Sequence, residues 1–307
     1  MSASTTTTAA VPPGIVVAPQ LPDLMRPVQV RRGGLGFLRN HPTVAIGGGL
    51  LLLLVLVGIF APYLGTVDPT ALAPAKRTRA PSADFWFGSD MLGRDIYSRV
   101  LYGARVSLTV GLSVALLASI AGLAIGLVSG FVRWADSILM RFMDGLMSIP
   151  PILFAVALMA LTRGSVGNVI MAITVAEIPR VSRLVRGVVL SLREQPYVDA
   201  AVTSGTRTPM IILRHILPNT LAPMLVQATY ICASAMIVES ILSFIGAGTP
   251  PTIPSWGNIM AEGRALWQIK PFIVFFPAAF LSVTVLAVNL LGDGLRDALD
   301  PRMAKSL

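Results

Sequence analysis

The chain has little charge for its length. Only 13% of its 307 residues are Asp, Glu, Lys or Arg, whereas soluble domains carry roughly 25%. Hydrophobic residues make up 54%, and the mean hydropathy is +0.74. This composition excludes an ordinary soluble domain and an intrinsically disordered chain, and it indicates an integral membrane protein.

Cysteine and histidine are almost absent as well. The single cysteine, Cys232, lies in an apolar run and cannot form an intrachain disulfide, and two histidines make no convincing metal site. We therefore predict no metal and no cofactor on this chain, with Cys232 as a small core residue. The phosphate-binding pattern G-x-x-x-x-G-K-S/T does not occur, so the chain is not a P-loop ATPase, and we predict no enzymatic activity.

Long uncharged runs predict membrane-spanning helices, each of which needs about 20 apolar residues. Five runs qualify: residues 42–67, 106–132, 145–162, 216–238 and 271–292. A sixth, residues 164–176, is short, and we expect its helix to continue through Glu177 and Pro179 to Arg186. Glu177 either faces the bundle or lies at a helix end. The predicted fold is all-α, a polytopic membrane protein with six transmembrane helices and cytoplasmic coupling helices.

The net charge of +9 indicates topology rather than nucleic-acid binding. Six spans place both termini on the same side of the membrane. Lys and Arg are more frequent in the segments on that side, so we predict that both termini are cytoplasmic. The Ser/Thr/Ala/Pro-rich start predicts a disordered cytoplasmic tail at residues 1–34. Residues 35–300 form the transmembrane domain, and residues 301–307 form a short C-terminal tail.

Glycines and prolines in these spans predict local features of the helices. Gly122, Gly126 and Gly130 recur every four residues and predict a helix-packing face without side chains. Pro150 and Pro151 predict a kink in the third span.

The segment of residues 194–219, here called the coupling segment, interrupts the spans with two short predicted helices. Pro196 suits the first position of one helix, Asp199 its first turn and Gly205 the residue past its end. Thr208 and Pro209 begin the second helix, and Pro218 closes it. From the residues alone, the segment is either a structural connector or a docking site for a partner.

The order Asp199-Ala200-Ala201, then Gly205, then Ile216-Leu217-Pro218 resembles the EAA loop of permease subunits of bacterial ABC importers. Asp199 stands where that family usually has Glu. The resemblance implies that this loop docks in a cleft of an ATP-binding subunit and couples ATP-driven closure to the spans. The implied docking residues are Asp199, Ala200, Ala201, Gly205 and Pro218.

Two further segments are similar to the dipeptide/oligopeptide/nickel permeases, and closest to their C-type subunit. They are residues 87–108, which begin FGSDMLGRDIYSR, and residues 243–264, which begin SFIGAG and contain PSWG. The resemblance implies a permease domain in the bacterial inner membrane. It also implies a second homologous permease, ATP-binding subunits and an extracellular substrate-binding protein as partners. The implied substrates are di- and oligopeptides, with nickel complexes, glutathione and haem left open.

Without that resemblance, the residues of the same two segments suggest a structural role. Asp90, Arg94, Asp95 and Arg99 have the spacing of an exposed short helix with ion pairs, and we favour this interpretation over contact with a peptide. Trp256 is either an interfacial anchor or a contact with a binding protein.

Two other function classes remain alternatives. A stand-alone ion-coupled transporter or channel should carry several intramembrane carboxylates and internal repeats, but only Asp144 and Glu177 are candidates. An intramembrane enzyme needs a catalytic constellation at membrane depth, but His41 and His215 fall at span edges.

Overall fold

The computed structural model describes residue 38 and residues 41–299. Helices dominate this part of the chain, which contains no strand beyond an isolated bridge between Ser89 and Asp95. The prediction of an all-α fold is confirmed. The predicted tails at residues 1–34 and 301–307 lie outside the described residues.

The first two helices are joined by a long loop. α1 (Pro42–Phe60) runs into a 3-10 turn (Ala61–Tyr63), and a second 3-10 turn (Pro74–Lys76) lies in the loop. α2 (Ile96–Phe131) has 36 residues and is therefore about 54 Å long. It begins before the predicted apolar run because its basic residues find partners. Arg105, for example, donates to the carbonyl oxygens of Gly58 and Ile59 on α1.

The third predicted span is broken. α3 (Arg133–Met147) and α4 (Pro151–Leu161) meet at an angle of 88°. Pro150 is the residue before α4 and Pro151 its first residue, where a missing N–H costs nothing. The kink predicted at these two prolines is confirmed.

The rest of the chain alternates long and short helices. α5 (Val166–Arg193) contains Pro179 and begins at Ser165, whose side chain accepts from the N–H of Asn168. The following elements are α6 (Pro196–Thr203), α7 (Thr208–Ile211), a π-helical turn (Ile212–Ile216), α8 (Leu217–Phe244), α9 (Trp256–Gly263) and α10 (Phe272–Leu299).

α2 is at the centre of the bundle, packed mainly against α5 and α8, while α10 packs against α1 and α8. The peripheral helices leave large apolar side chains uncovered, as at Ile46 and Leu52 of α1, which are 61% and 59% exposed. An apolar exterior of this kind suits lipid as the surrounding solvent.

Four helical stretches in the described residues are long and apolar enough to span a membrane: Pro42–Tyr63, Ile96–Phe131, Thr208–Phe244 and Phe272–Leu299. The bent pair α3 and α4 adds a fifth if it is one span. α5 has the length, 28 residues, but its charged residues keep it out of this set. The count of six spans therefore stays a prediction.

Candidate functional site

The two ends of the bundle differ in chemistry. One end, here called the loop face, carries residues 61–95 and 245–271. The other, here called the arginine face, carries α3, the last turns of α5 and the coupling segment. Arg193 connects elements at the arginine face, where it donates to the carbonyl oxygen of Gly130 at 2.9 Å and its guanidinium lies over the ring of Phe131.

α6 begins and ends as its residues predict. Pro196 occupies the first turn, and Gly205 has a φ of +77° beyond the end of the helix. The N–H of Gly205 donates to the carbonyl of Val202, and that of Thr206 to the carbonyl of Ala201. These two bonds form a Schellman motif, in which glycine at the left-handed position satisfies the last carbonyls without strain.

Pro218 does not end a helix, so the prediction that it closes the second short helix is wrong. α7, the π-helical turn and α8 form one continuous helical stretch, Thr208–Phe244. Pro218 is the second residue of α8, and the preceding π-helical turn shifts the hydrogen-bond register. A proline is tolerated there because its missing N–H falls at a break in the α-helical pattern. Arg207, rather than Thr208, is the residue before α7.

The coupling segment is fixed by a few buried side chains. Val198, Ile211 and Ile216 are 2%, 2% and 0% exposed, and the rings of Tyr197 and His215 lie 6.3 Å apart. These apolar side chains and the ring contact hold α6 against the start of the helical stretch Thr208–Phe244. The segment is folded, as a docking element must be.

The implied docking residues lie on the surface of this folded segment. Asp199, Ala200, Gly205 and Pro218 are exposed, and Ala201 is half-buried. Large apolar side chains surround them: Tyr197, Val202, Met210 and Leu213 are 42%, 55%, 52% and 61% exposed. Asp199 forms no ion pair within residues 41–299, so its carboxylate is available to a partner.

The glycine row of α2 lies against α5. A methyl group at Gly122, Gly126 or Gly130 would come under 3.0 Å from the side chain of Val181, Val185 or Val189, respectively. The two backbones approach this closely only because the glycines have no side chain. The row therefore sets the distance between α2 and α5, the helix that leads directly into the coupling segment.

Ion pairs join α5 to α3. Arg186 donates to both carboxylate oxygens of Asp136, at 2.5 and 2.7 Å, and Arg183 donates to Asp144 at 2.6 Å. The bidentate geometry makes the first pair the more directional of the two. The two pairs connect α5 to α3 at the arginine face.

Two carboxylates lie inside the bundle. Glu177 is 3% exposed, 3.3 Å from Arg180, and accepts from Ser234 at 3.4 Å. Of the two interpretations, the structure supports a bundle-facing residue. Glu239, which sequence reasoning missed, is 0% exposed and accepts from Ser243 at 2.8 Å. Glu239 directly follows the predicted span of residues 216–238. The hydroxyl of Ser243, four residues later, was the sequence signal that could have identified Glu239.

Charged residues at the loop face form a buried network. Asp90 accepts from Arg94 Nε at 2.7 Å and from Arg99 Nη1 at 2.6 Å, and both arginines also bind Glu262. Asp90, Arg94 and Arg99 are 0%, 6% and 1% exposed. The prediction of an exposed short helix is wrong, because the partner Glu262 comes from α9 and covers the cluster. Asp95 instead caps α2 by accepting from the N–H of Ser98.

Trp256 is also buried. It is 0% exposed, and its indole N–H donates to the carbonyl of Val100 at 3.0 Å. Both predictions for Trp256, an interfacial anchor and a contact with a binding protein, are therefore wrong in the described structure. The indole instead fixes α9 to the start of α2.

The described residues contain no group of three His, Cys, Asp or Glu side chains that could hold a metal. Cys232 is buried on α8. The described residues form a folded, partly apolar surface at the arginine face. α5 connects this surface to the bundle of apolar helices and forms ion pairs with α3. These features fit a membrane-embedded component of a larger assembly.

Comparison with known proteins agrees with this class. Residues 118–305 match the family described as binding-protein-dependent transport system inner membrane component, and the chain belongs to this family. It is 54% identical over 265 residues to the probable peptide ABC transporter permease protein y4tQ of Sinorhizobium fredii, a match that covers 86% of this chain and 90% of the relative. It is 40% identical to the dipeptide transport system permease protein DppC of Alkalihalophilus pseudofirmus, over 87% and 88% of the two chains.

A solved structure shares the fold. The methionine ABC transporter MetNI in an inward-facing conformation matches with a TM-score of 0.54 and 18% identity, covering 66% of this chain and 96% of that one. The identities to the peptide and dipeptide permeases confirm the resemblance to the dipeptide/oligopeptide permease family. The chain is a multi-pass permease subunit of an ABC importer, and such subunits work with separate ATP-binding subunits and are not themselves the enzyme.

Proposed function

We propose that this chain is one of two homologous permease subunits that import di- or oligopeptides delivered by an extracellular binding protein. The names of its relatives support a peptide substrate, since they include peptide and dipeptide transport permeases. The structural observation that carries the proposal is the uncovered surface of the coupling segment.

That surface carries large exposed apolar side chains at the arginine face of the bundle. Tyr197, Val202 and Met210 are between 42% and 55% exposed, although α6 has enough buried contacts to fold. Apolar side chains on a folded, polar-rimmed surface mark a protein interface. An apolar cleft on an ATP-binding subunit is the partner that fits, with Asp199, Ala200, Ala201, Gly205 and Pro218 as docking residues.

The proposed topology places this surface in the cytoplasm together with both termini. Arg183, Arg186 and Arg193 lie at the same end of the bundle as the coupling segment, and an excess of Arg marks cytoplasmic segments. Closure of the ATP-binding subunits would then push on α6, and the push would pass through α5 to its contacts with α2 and α3.

A stand-alone ion-coupled transporter is the weaker hypothesis. It requires intramembrane carboxylates that an ion can reach. Asp144 lies at the arginine face and pairs with Arg183, and the carboxylates inside the bundle, Glu177 and Glu239, are 3% and 0% exposed. Both are held by partners on neighbouring turns or helices.

The experiment is uptake of labelled dipeptide into proteoliposomes that contain this chain, its second permease and the ATP-binding subunits, with the binding protein outside. We expect ATP-dependent uptake that disappears when any one component is omitted. Competition by unlabelled oligopeptide, glutathione, a nickel complex or haem then defines the substrate. Uptake by this chain alone along an ion gradient would contradict the proposal.

A further inference from the structure

α3 has three distinct faces. Ala135 and Met143 are buried against the protein, and Asp136 and Asp144 pair with arginines of α5. A second face is an apolar stripe, four residues apart, of Trp134, Ile138 and Phe142, which are 73%, 63% and 63% exposed. The third face carries the exposed polar residues Arg133, Ser137 and Arg141.

The direction of α3 differs from that of the spanning helices. It makes an angle of 88° with α4, whose exposed leucines, such as Leu153 at 61%, suit lipid. If α4 runs along the membrane normal, α3 lies in the membrane plane. Its ion pairs to Arg183 and Arg186 place it at the arginine face. An amphipathic helix with Trp and Phe on one side and Arg on the other is typical of an interfacial helix.

We propose that α3 is an interfacial helix that binds anionic phospholipid headgroups of the cytoplasmic leaflet. The stripe of Trp134, Ile138 and Phe142 lies among the acyl chains, and Arg133 and Arg141 contact the phosphates.

Charge complementarity favours lipid over the second permease as the occupant of this surface. Neither Arg133 nor Arg141 has an ionic partner within residues 41–299. A protein interface that covered both the stripe and the neighbouring polar face would have to supply a carboxylate for each arginine, because an unpaired buried charge is costly. An anionic leaflet supplies acyl chains and phosphates side by side. The attraction is worth about fivefold in lipid affinity per arginine.

The experiment measures the depth of two neighbouring residues in the complete transporter, reconstituted in equal parts of phosphatidylcholine and phosphatidylglycerol. Ile138→Cys and Ser137→Cys are each made in a Cys232→Ala background and carry a nitroxide label. We expect oxygen to reach the label at residue 138 much more readily than a water-soluble nickel chelate does, and we expect the ratio of oxygen to chelate accessibility to be low at residue 137. A label at 138 that is immobile and shielded from both would mean that a protein covers the stripe and would overturn the proposal. Easy access of the chelate to residue 138 would overturn it as well.

Lipid retention provides a second measurement without a label. The Arg133→Gln/Arg141→Gln double variant should retain several-fold less phosphatidylglycerol relative to phosphatidylcholine after purification in detergent. Arg77→Gln, an exposed arginine of the loop face, is the control and should leave the ratio unchanged. Equal losses in the two variants would contradict a site on α3.

The proposal for α3 rests on the proposed function only for the assignment to the cytoplasmic leaflet. Label accessibility and lipid retention do not depend on transport, so a failed uptake experiment would leave both results interpretable.

Discussion

Arg99 and Glu262 are 163 residues apart in sequence and form a bidentate ion pair at the loop face, with Arg99 Nη2 3.0 Å from Glu262 Oε1. The pair fixes α9 to the first turns of α2. Because Asp90 binds the same guanidinium, the network connects residues 61–95 to α9 and to the start of α2.

This network should be important for stability. Asp90 is fully buried between two arginines, so Asp90→Asn leaves buried positive charge with a single carboxylate. We expect a loss of about 3 kcal/mol in the free energy of unfolding, measured by thermal unfolding of the detergent-purified protein. Asp68→Asn is the control, because the side chain of Asp68 is exposed and its bonds among residues 41–299 are to Thr70. Equal unfolding temperatures for the two variants would show that the network contributes little.

The contact between α2 and α5 should not tolerate a methyl group. In Gly126→Ala the new Cβ would lie 2.6 Å from Val185 Cβ and 2.8 Å from the carbonyl oxygen of Ser182. We expect destabilisation of about 1 to 3 kcal/mol, seen as lower accumulation in the membrane and a lower unfolding temperature. Gly49→Ala is the matched control on α1, where nothing lies within 4 Å. Wild-type behaviour of Gly126→Ala would mean that the helices can separate freely.

Glu239 should be replaceable by its amide. The hydroxyl of Ser243 donates to Oε1 and that of Ser240 donates to Oε2. In a glutamine the amide oxygen can accept from Ser243, and the amide N–H group can donate to the hydroxyl oxygen of Ser240. Glu239→Gln should therefore stay close to the wild-type unfolding temperature. Glu239→Ala leaves a cavity and unpaired hydroxyls and should cost about 2 to 3 kcal/mol. If Glu239→Gln is as damaging as Glu239→Ala, the charge itself is required.

The turn after α6 should be necessary for transport. Gly205→Pro replaces a φ of +77° by about −65° and removes the N–H that donates to Val202. We expect this variant to insert into the membrane at the wild-type level and to lose peptide uptake and co-purification of the ATP-binding subunits. Normal uptake would count against a coupling role.

A milder pair of variants separates backbone strain from docking. Gly246 ends α8 in the same Schellman geometry, with a φ of +85° and open space around it, but at the loop face. Gly205→Ala and Gly246→Ala should therefore be strained equally, by about 1 kcal/mol. Only Gly205→Ala should weaken the association with ATP-binding subunits. Equal weakening would point to general destabilisation.

The sequence predicts the local features of this fold well. Pro196 and Gly205 mark the ends of α6 because capping depends on residues next to each other in the chain. The kink at Pro150 and Pro151 follows from the missing N–H groups. Gly122, Gly126 and Gly130 predict a packing face from their spacing alone, although the spacing does not identify Val185 and its neighbours as the contacts.

The wrong predictions concern long-range contacts. The spacing of Asp90, Arg94 and Arg99 suggested an exposed helix, and nothing nearby in sequence indicates that Glu262 covers them. Trp256 stands between a proline and a glycine, which suggested a surface loop, but α2 packs over it. The prediction that Pro218 closes the second short helix is wrong for a different reason. Proline usually ends a helix because it lacks an N–H. Here the π-helical turn before Pro218 shifts the hydrogen-bond register, so the missing N–H falls at a break in the α-helical pattern.

The most direct test of the central claim is hydrogen–deuterium exchange of the complete permease pair with and without its ATP-binding subunits. We expect amides of residues 196–211 to become protected when the ATP-binding subunits are added, while residues 61–95 at the opposite face exchange at unchanged rates. If residues 196–211 exchange equally fast in both samples, or if protection appears only at residues 61–95, the coupling segment is not the docking site.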